Sequence, residues 1–235
     1  MITAGRAKPW EFRWRIVIML ASLPVGAILF TMAGMSVGRW EAPQTELWQR
    51  TSAATLAAVG LMLRVWGTYA LSAQRMLRLQ AHGETLVESG PFGILRNPLY
   101  LGTMLVIIGW SVLYGWLAAH LFAVFHAIRF QRIVVYEESL IAAESGKGFD
   151  DYCRRVNRWW PRWSNIPQAG WPRCSLAAVL SNGPFVGMAI GLFIITGTAT
   201  AWIFFPMMLL GMLISGAFLI VRRWQQEDYS PEGTK

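Results

Sequence analysis

The stretch "RNPLYLGTMLVIIGWSVLYGWLAAHLFAVFHAIR", residues 96–129, decides what kind of molecule this chain makes. Between its two arginines stand 32 residues without Asp, Glu, Lys or Arg. As one straight helix they would extend about 48 Å, against a bilayer hydrocarbon core of about 30 Å. That is too long for one crossing and short for two. The Tyr114-Gly115 pair predicts a tight hairpin, 98–112 and 115–132, of helices that are short, tilted or partly outside the core. Working outward, 23 uncharged residues separate Arg15 from Arg39, and 48 separate Arg173 from Arg222. These predict a helix over 15–37 and a pair over 175–196 and 200–221, turning near Thr196-Gly197-Thr198. A further helix over 51–73 is interrupted by Arg64. Charged residues make up 14% of the chain and apolar ones 54%, where soluble domains carry about 25% charged residues. The expected fold is all-α: a polytopic membrane protein with about six transmembrane helices.

Charge placement tests that count. With the N-terminus inside, the inside segments hold 18 of the 21 Lys and Arg residues, the outside loops hold Arg39 and Arg50, and Arg64 is intramembrane. Cytoplasmic loops collect Lys and Arg, so this alternation puts both termini in the cytoplasm. The net charge of +8 then reads as topology and contact with anionic headgroups, not nucleic-acid binding. The first apolar run lacks a cleavage pattern and reads as a retained helix. Many of the 13 Trp residues fall at helix ends, where they anchor to interfaces. Cys153 and Cys174 have no partners at metal-binding spacing, and no metal site is expected. Three regions follow: 1–50, an N-terminal helix and outer loop; 51–165, a core; and 166–235, a C-terminal hairpin and tail.

Two inside segments are too polar to be mere connectors, 74–100 and 129–163. Residues 129–145 read as a helix continuing out of the fourth span. Glu137 and Glu138 point about 100° apart on it. Glu137 shares a face with Phe130, Ile133, Val134, Leu140 and Ile141, so it must find a partner or lose its charge. It is the stronger candidate for a buried ligand contact; the competing reading is an ion pair with Arg129, Arg132 or Arg96. Phe149, Tyr152 and Val156 then recur at helical spacing before Pro161. Arg154, Arg155 and Arg158 on that segment suit a headgroup surface. Arg64, mid-helix, either snorkels or meets an anion in a lipid-open cleft. Asn97 before Pro98 is a good helix cap.

"GPFGILRNPLYLG", residues 90–102, resembles the GPYRYVRHPxYxG signature of the isoprenylcysteine carboxyl methyltransferase and phospholipid methyltransferase superfamily. The second half of that signature, a Glu-Glu pair and then FGxxYxxYxxxVxRxxP, is matched by Glu137-Glu138, Ser145-Gly146, Phe149, Tyr152, Val156, Arg158 and Pro161. "GLMLRVWGTYAL", residues 60–71, is similar to the family's Arg- and Trp-bearing helix. The family's His is Asn97 here, which can still donate and accept hydrogen bonds. The resemblance covers residues 56–163. It implies an integral-membrane methyltransferase that uses S-adenosyl-L-methionine on the cytoplasmic side and takes a lipophilic acceptor from the bilayer. It implies a functional set of Arg64, Arg96, Asn97, Glu137 and Arg158, and a cofactor pocket of Gly90, Pro91, Phe92, Leu95, Asn97, Tyr100, Leu101, Glu137 and Glu138. Carboxylates suit the cofactor's ammonium; Arg96 and backbone N–H groups after Gly90 suit its carboxylate. Phe92 or Tyr100 suits the adenine or sulfonium. Acceptor chemistry stays open between carboxylate, amine and thiol, and oligomeric state is undetermined. Two other readings stand beside it: an NADPH-dependent membrane reductase of sterol-reductase type, and a non-catalytic scaffold or carrier.

Overall fold

A computed structural model describes residues 7–34, 47–72, 86–170, 172–198 and 203–227. The described residues form helices α1 (Pro9–Arg13), α2 (Arg15–Met32), α3 (Leu47–Leu71), α4 (Pro98–Val112), α5 (Trp116–Ser145), α6 (Lys147–Arg155), α7 (Ile166–Ala169), α8 (Leu176–Ser181), α9 (Gly183–Thr198) and α10 (Phe204–Glu227). Helices α2, α3, α5 and Phe204–Val221 of α10 are long and apolar enough to cross a membrane; α4 and Gly183–Ile195 of α9 are shorter apolar helices. The described residues are all-helical, with four spanning and two shorter apolar helices, as expected of an integral membrane protein.

The hairpin in the 32-residue uncharged stretch forms as its length demands. The chain turns through Leu113, Tyr114 and Gly115, with Gly115 N–H donating to Val112 O. At 15 residues, α4 is about 22 Å long, shorter than the hydrocarbon core. At 30 residues, α5 is about 45 Å long and outruns the core, carrying Glu137 and Glu138 toward its polar end. Exposed apolar residues line the earlier part of α5, among them Leu117, Leu121, Val124 and Ile128, a face that acyl chains solvate.

Several boundaries differ from the sequence expectation. The first helix ends at Met32; residues 35–37 lie outside the described residues. The second starts at Leu47 and runs unbroken through Arg64 to Leu71. The predicted 175–196 helix is divided at Asn182 into α8 and α9. Thr196-Gly197-Thr198, the predicted turn, is still helical; residues 199–202, which follow it, lie outside the described residues. Residues 74–85 of the first polar segment, with Arg75 and Arg78, fall outside the described residues.

Close backbone approach sets the helix packing. On the antiparallel pair α3 and α4, a Cβ on Gly60 would land on the Gly102 carbonyl, and one on Gly102 would land on that of Gly60. On α9, a Cβ on Gly187 would collide with the Met207 carbonyl of α10. The small residues at 183, 187 and 191 therefore serve packing within the chain. Trp110, 1% exposed, ties the bundle together. Its ring lies 5.4 Å from Phe122 of α5 and 5.9 Å from Phe204 of α10, and Phe122 packs at 5.2 Å on Phe30 of α2.

Candidate functional site

The two motif blocks, about 40 residues apart in sequence, meet at one end of the bundle. Within residues 88–97, Leu95 makes an isolated parallel pairing with Asn157 of the segment after α6. Arg96 N–H donates to Asn157 O at 2.9 Å, and Arg162 N–H donates to Ile94 O at 2.9 Å. Tyr152 of α6 donates its hydroxyl to Phe92 O at 2.8 Å, and Asn165 Nδ2 donates to Gly93 O at 3.0 Å. Burial pushes the Tyr152 hydroxyl far above its ordinary range, so it remains a donor at any working pH. Phe149, Tyr152 and Val156 are buried, as their spacing predicts, and form a small core with Leu86 and Ile141. The loop itself opens on Gly90 at φ +61°, a left-handed conformation that glycine adopts without strain. A Cβ there would sit 3.1 Å from Ala70 Cβ and 3.2 Å from Trp66 Nε1.

Glu138 is the hub. Arg158 donates to it from Nη2 at 2.7 Å and from Nε at 3.1 Å. Asn97 Nδ2 donates to its Oε1 at 3.3 Å, and Arg96 Nε stands 3.2 Å from the same oxygen. The Arg96 N–H is not aligned on that oxygen, and Nε counts among the buried donors without a hydrogen-bond partner; the contact is one of charge alone. Asn97 occupies the N-cap position of α4, yet its side chain caps nothing. It turns instead to Glu138 and to Arg158 O, at 3.4 Å. The capping role read from sequence gives way to a tertiary one, because two arginines and a carboxylate converge within reach and the first-turn amides do not compete with them.

Glu137 points elsewhere, as a neighbouring position on a helix must. It lies within hydrogen-bonding reach of the Tyr100 hydroxyl on the first turn of α4, and Arg15 supplies its main favourable charge. Both Glu137 and Tyr100 keep some accessible surface although protein surrounds them. Arg96 thus pairs with Glu138, not with Glu137, for which the sequence offered it as a partner. The cause is that α5 presents its Glu138 face to the 94–97 corner.

Pro91, Leu95 and Asn97 are buried, while Phe92, Tyr100 and Leu101 are half-buried. Arg64 is not part of the Glu138 cluster. It neither snorkels nor lies in an open cleft: it is 9% exposed, and Nε donates to Asn182 Oδ1 at 2.9 Å. Asn182 had no place in the sequence reading. Its signal was an Asn-Gly-Pro break within an otherwise apolar helix. Cys153 and Cys174 are both free thiols. Among the described residues no cluster of three His, Cys, Asp or Glu side chains is placed to hold a metal ion.

The phospholipid methyltransferase family model matches residues 48–146, from α3 through the end of α5. The chain is 28% identical over 158 residues to the cobalt-zinc-cadmium resistance protein CzcN of Cupriavidus metallidurans, covering 64% of this chain and 63% of that protein. It is 31% identical over 80 residues to the Delta(14)-sterol reductase TM7SF2 of Mus musculus, covering 32% of this chain and 19% of that protein. The chain therefore spans less than two thirds of either relative. No solved structure matches it significantly.

Proposed function

We propose that this protein transfers a methyl group from S-adenosyl-L-methionine to a lipophilic acceptor that reaches the site from the bilayer. The observation that carries the reading is the convergence of both motif blocks on Glu138, at the end of the bundle where α4 enters and α5 leaves the apolar layer. The residues suit the cofactor. Arg96 Nε is a buried donor without an aligned partner, available to a carboxylate. Glu137 keeps accessible surface and suits an ammonium. The glycine at 90 leaves room that a Cβ would take from Trp66 and Ala70.

When bound, the cofactor supplies a methyl on a sulfonium, whose positive charge is neutralised as the methyl moves in line to a nucleophile. The protein's part is to align and to exclude water. Glu138, Arg158, Asn97 and Arg96 fix the shape of the corner. Glu137 and Tyr100, with Pro91, Phe92, Leu95 and Leu101, form the wall that faces the ligand. None of them needs to act as an acid or base for a carboxylate or a neutral amine. On this reading the site faces the cytoplasm, with both termini on that side. Residues 51–165 are the catalytic core, and 1–50 and 166–235 flank it.

The test is incubation of the purified protein in lipid with radiolabelled methyl donor and a total lipid extract; label in a lipid product is expected, and its chemistry names the acceptor. The similarity to a sterol reductase over 80 residues supports a second reading, reduction by NADPH in the corresponding pocket. Thermal stabilisation by NADPH and not by S-adenosylmethionine would replace the first reading with the second.

A further inference from the structure

The C-terminal hairpin, which lies beyond the family match at 48–146, reaches into the bundle with one polar side chain. Asn182, at the break between α8 and α9, is 0% exposed. Its Oδ1 accepts from Arg64 Nε at 2.9 Å. Its Nδ2 donates to Thr68 Oγ1 at 2.9 Å and to Ala178 O at 2.8 Å. This pattern admits one amide orientation, oxygen toward the arginine, because both other partners lie on the nitrogen side and Ala178 O can only accept. One turn later the Phe185 ring lies 3.6 Å from the Arg64 guanidinium carbon, a cation–π contact made away from water.

The far side of the same guanidinium holds α4. Arg64 Nη1 donates to Leu99 O at 3.2 Å and to Thr103 Oγ1, and Thr103 Oγ1 donates in turn to Leu99 O at 2.8 Å. Leu99 lies between Asn97, which donates to Glu138, and Tyr100, which meets Glu137. A buried guanidinium stays where its donors are matched. Asn182 and Phe185 match it from one side and so determine where it grips the first turn of α4 on the other.

We propose that Asn182 is a positioning residue for the candidate site: through Arg64 it sets the first turn of α4, and the C-terminal hairpin is thereby a working wall of the site. The inference takes the site's role from the methyl-transfer reading, but its local effect can be measured without it. Without the Asn182 oxygen, Arg64 must turn toward another acceptor, and its hold on Leu99 O weakens. Asn97 and Tyr100 then lose their aim at the two glutamates.

The experiment compares Asn182→Leu, of similar shape without polar atoms, with Asn182→Asp, which keeps an oxygen for Arg64. Each is purified full-length in lipid nanodiscs. Amide hydrogen exchange is read over 96–104 and over α10, alongside the affinity for S-adenosylmethionine. For Asn182→Leu, exchange over 96–104 is expected to rise at least tenfold, with α10 within about twofold of wild type, and cofactor affinity to fall about tenfold. Asn182→Asp keeps the acceptor for Arg64 but sets its second oxygen against Ala178 O, so it is expected to restore both in part, above the level of Asn182→Leu. If Asn182→Leu does not fold, Asn182→Ser carries the same comparison. Wild-type exchange over 96–104 in the Leu or Ser variant would overturn the proposal, and so would equal loosening of 96–104 and α10, or failure of Asp to rescue. If wild type binds no S-adenosylmethionine, the methyl-transfer reading fails, and the exchange comparison alone decides the role of Asn182.

Discussion

Glu137 and Glu138 are adjacent in sequence and chemically identical, yet they are expected to fail in opposite ways when neutralised. Glu138 is 8% exposed and offsets two guanidinium groups, Arg96 at 3.2 Å and Arg158 at 2.7 Å. Removing one partner of a buried ion pair costs about 3–5 kcal/mol, because the remaining charge is left uncompensated. Two considerations favour the lower end for Glu138→Gln. The Arg158 side chain is 33% exposed, so water offsets part of its loss. The Gln amide also keeps one oxygen for Asn97 or Arg158. A loss of about 3 kcal/mol lowers the melting temperature of a chain this size by roughly 6–12 °C. Glu137→Gln removes the Tyr100 contact and the attraction of Arg15, but also ends the burial of a charge, leaving a cost of about 1 kcal/mol, or roughly 2–4 °C.

Ligand response separates the two further. A ligand at about 100 times its dissociation constant stabilises by about 2.7 kcal/mol. Wild type should therefore gain roughly 5–11 °C with saturating S-adenosylmethionine. Glu137→Gln should keep most of its stability and lose that gain. Glu138→Gln should lose stability and show whatever gain its remaining folded fraction allows. Thermal unfolding of detergent-purified protein, followed by tryptophan fluorescence with and without cofactor, reads the six melting temperatures of the three proteins. If Glu138→Gln melts with wild type, or Glu137→Gln still responds fully to cofactor, the division of roles is wrong.

Three further outcomes follow from other parts of the molecule. Gly187→Ala would push a methyl onto the Met207 carbonyl, so α9 and α10 must separate; folded yield in detergent should fall sharply, and normal yield would contradict the packing. Arg132 donates to Glu11 at 2.8 Å, and chiefly through that bond it holds the Glu11 carboxyl below its ordinary value of 4.5. A depressed carboxylate stabilises the fold above its unfolded value and loses the contribution as pH falls through its folded one. Glu11→Gln should thus cost up to about 1 kcal/mol near neutral pH, with the difference shrinking below about pH 4.5 and gone once the folded Glu11 is protonated, in a pH series of melting temperatures. Finally, burial pushes the half-buried Cys153 thiol up, while Cys174 is exposed. Maleimide at pH 7.5 should modify Cys174 at least tenfold faster, as read by peptide mass spectrometry.

Much of this arrangement was legible in the order of residues. Bilayer thickness is a fixed length, so uncharged runs of 23, 32 and 48 residues translate directly into one helix or two. The hairpin at Gly115 and the long α5 followed from that. Helical spacing likewise placed Phe149, Tyr152 and Val156 on one buried face. Local chemistry misjudged Asn97, which was read as a cap and became a ligand of Glu138. Periodicity offered Arg96 as an ion-pair partner of Glu137, whereas Arg96 pairs with Glu138, since periodicity registers a residue's own helix face and cannot register what packs against that face. The Arg64 partner was likewise invisible, because Asn182 is 118 residues away and nothing along a chain announces which distant side chain fills a hydrogen-bonding position. What the sequence determined alone was set by one helix against the bilayer: how many apolar helices form and which residues are apolar. Which carboxylate holds the arginines, and which asparagine holds Arg64, was decided only when helices from distant segments met, since burial with a matched partner is a property of the pair and of the space between them.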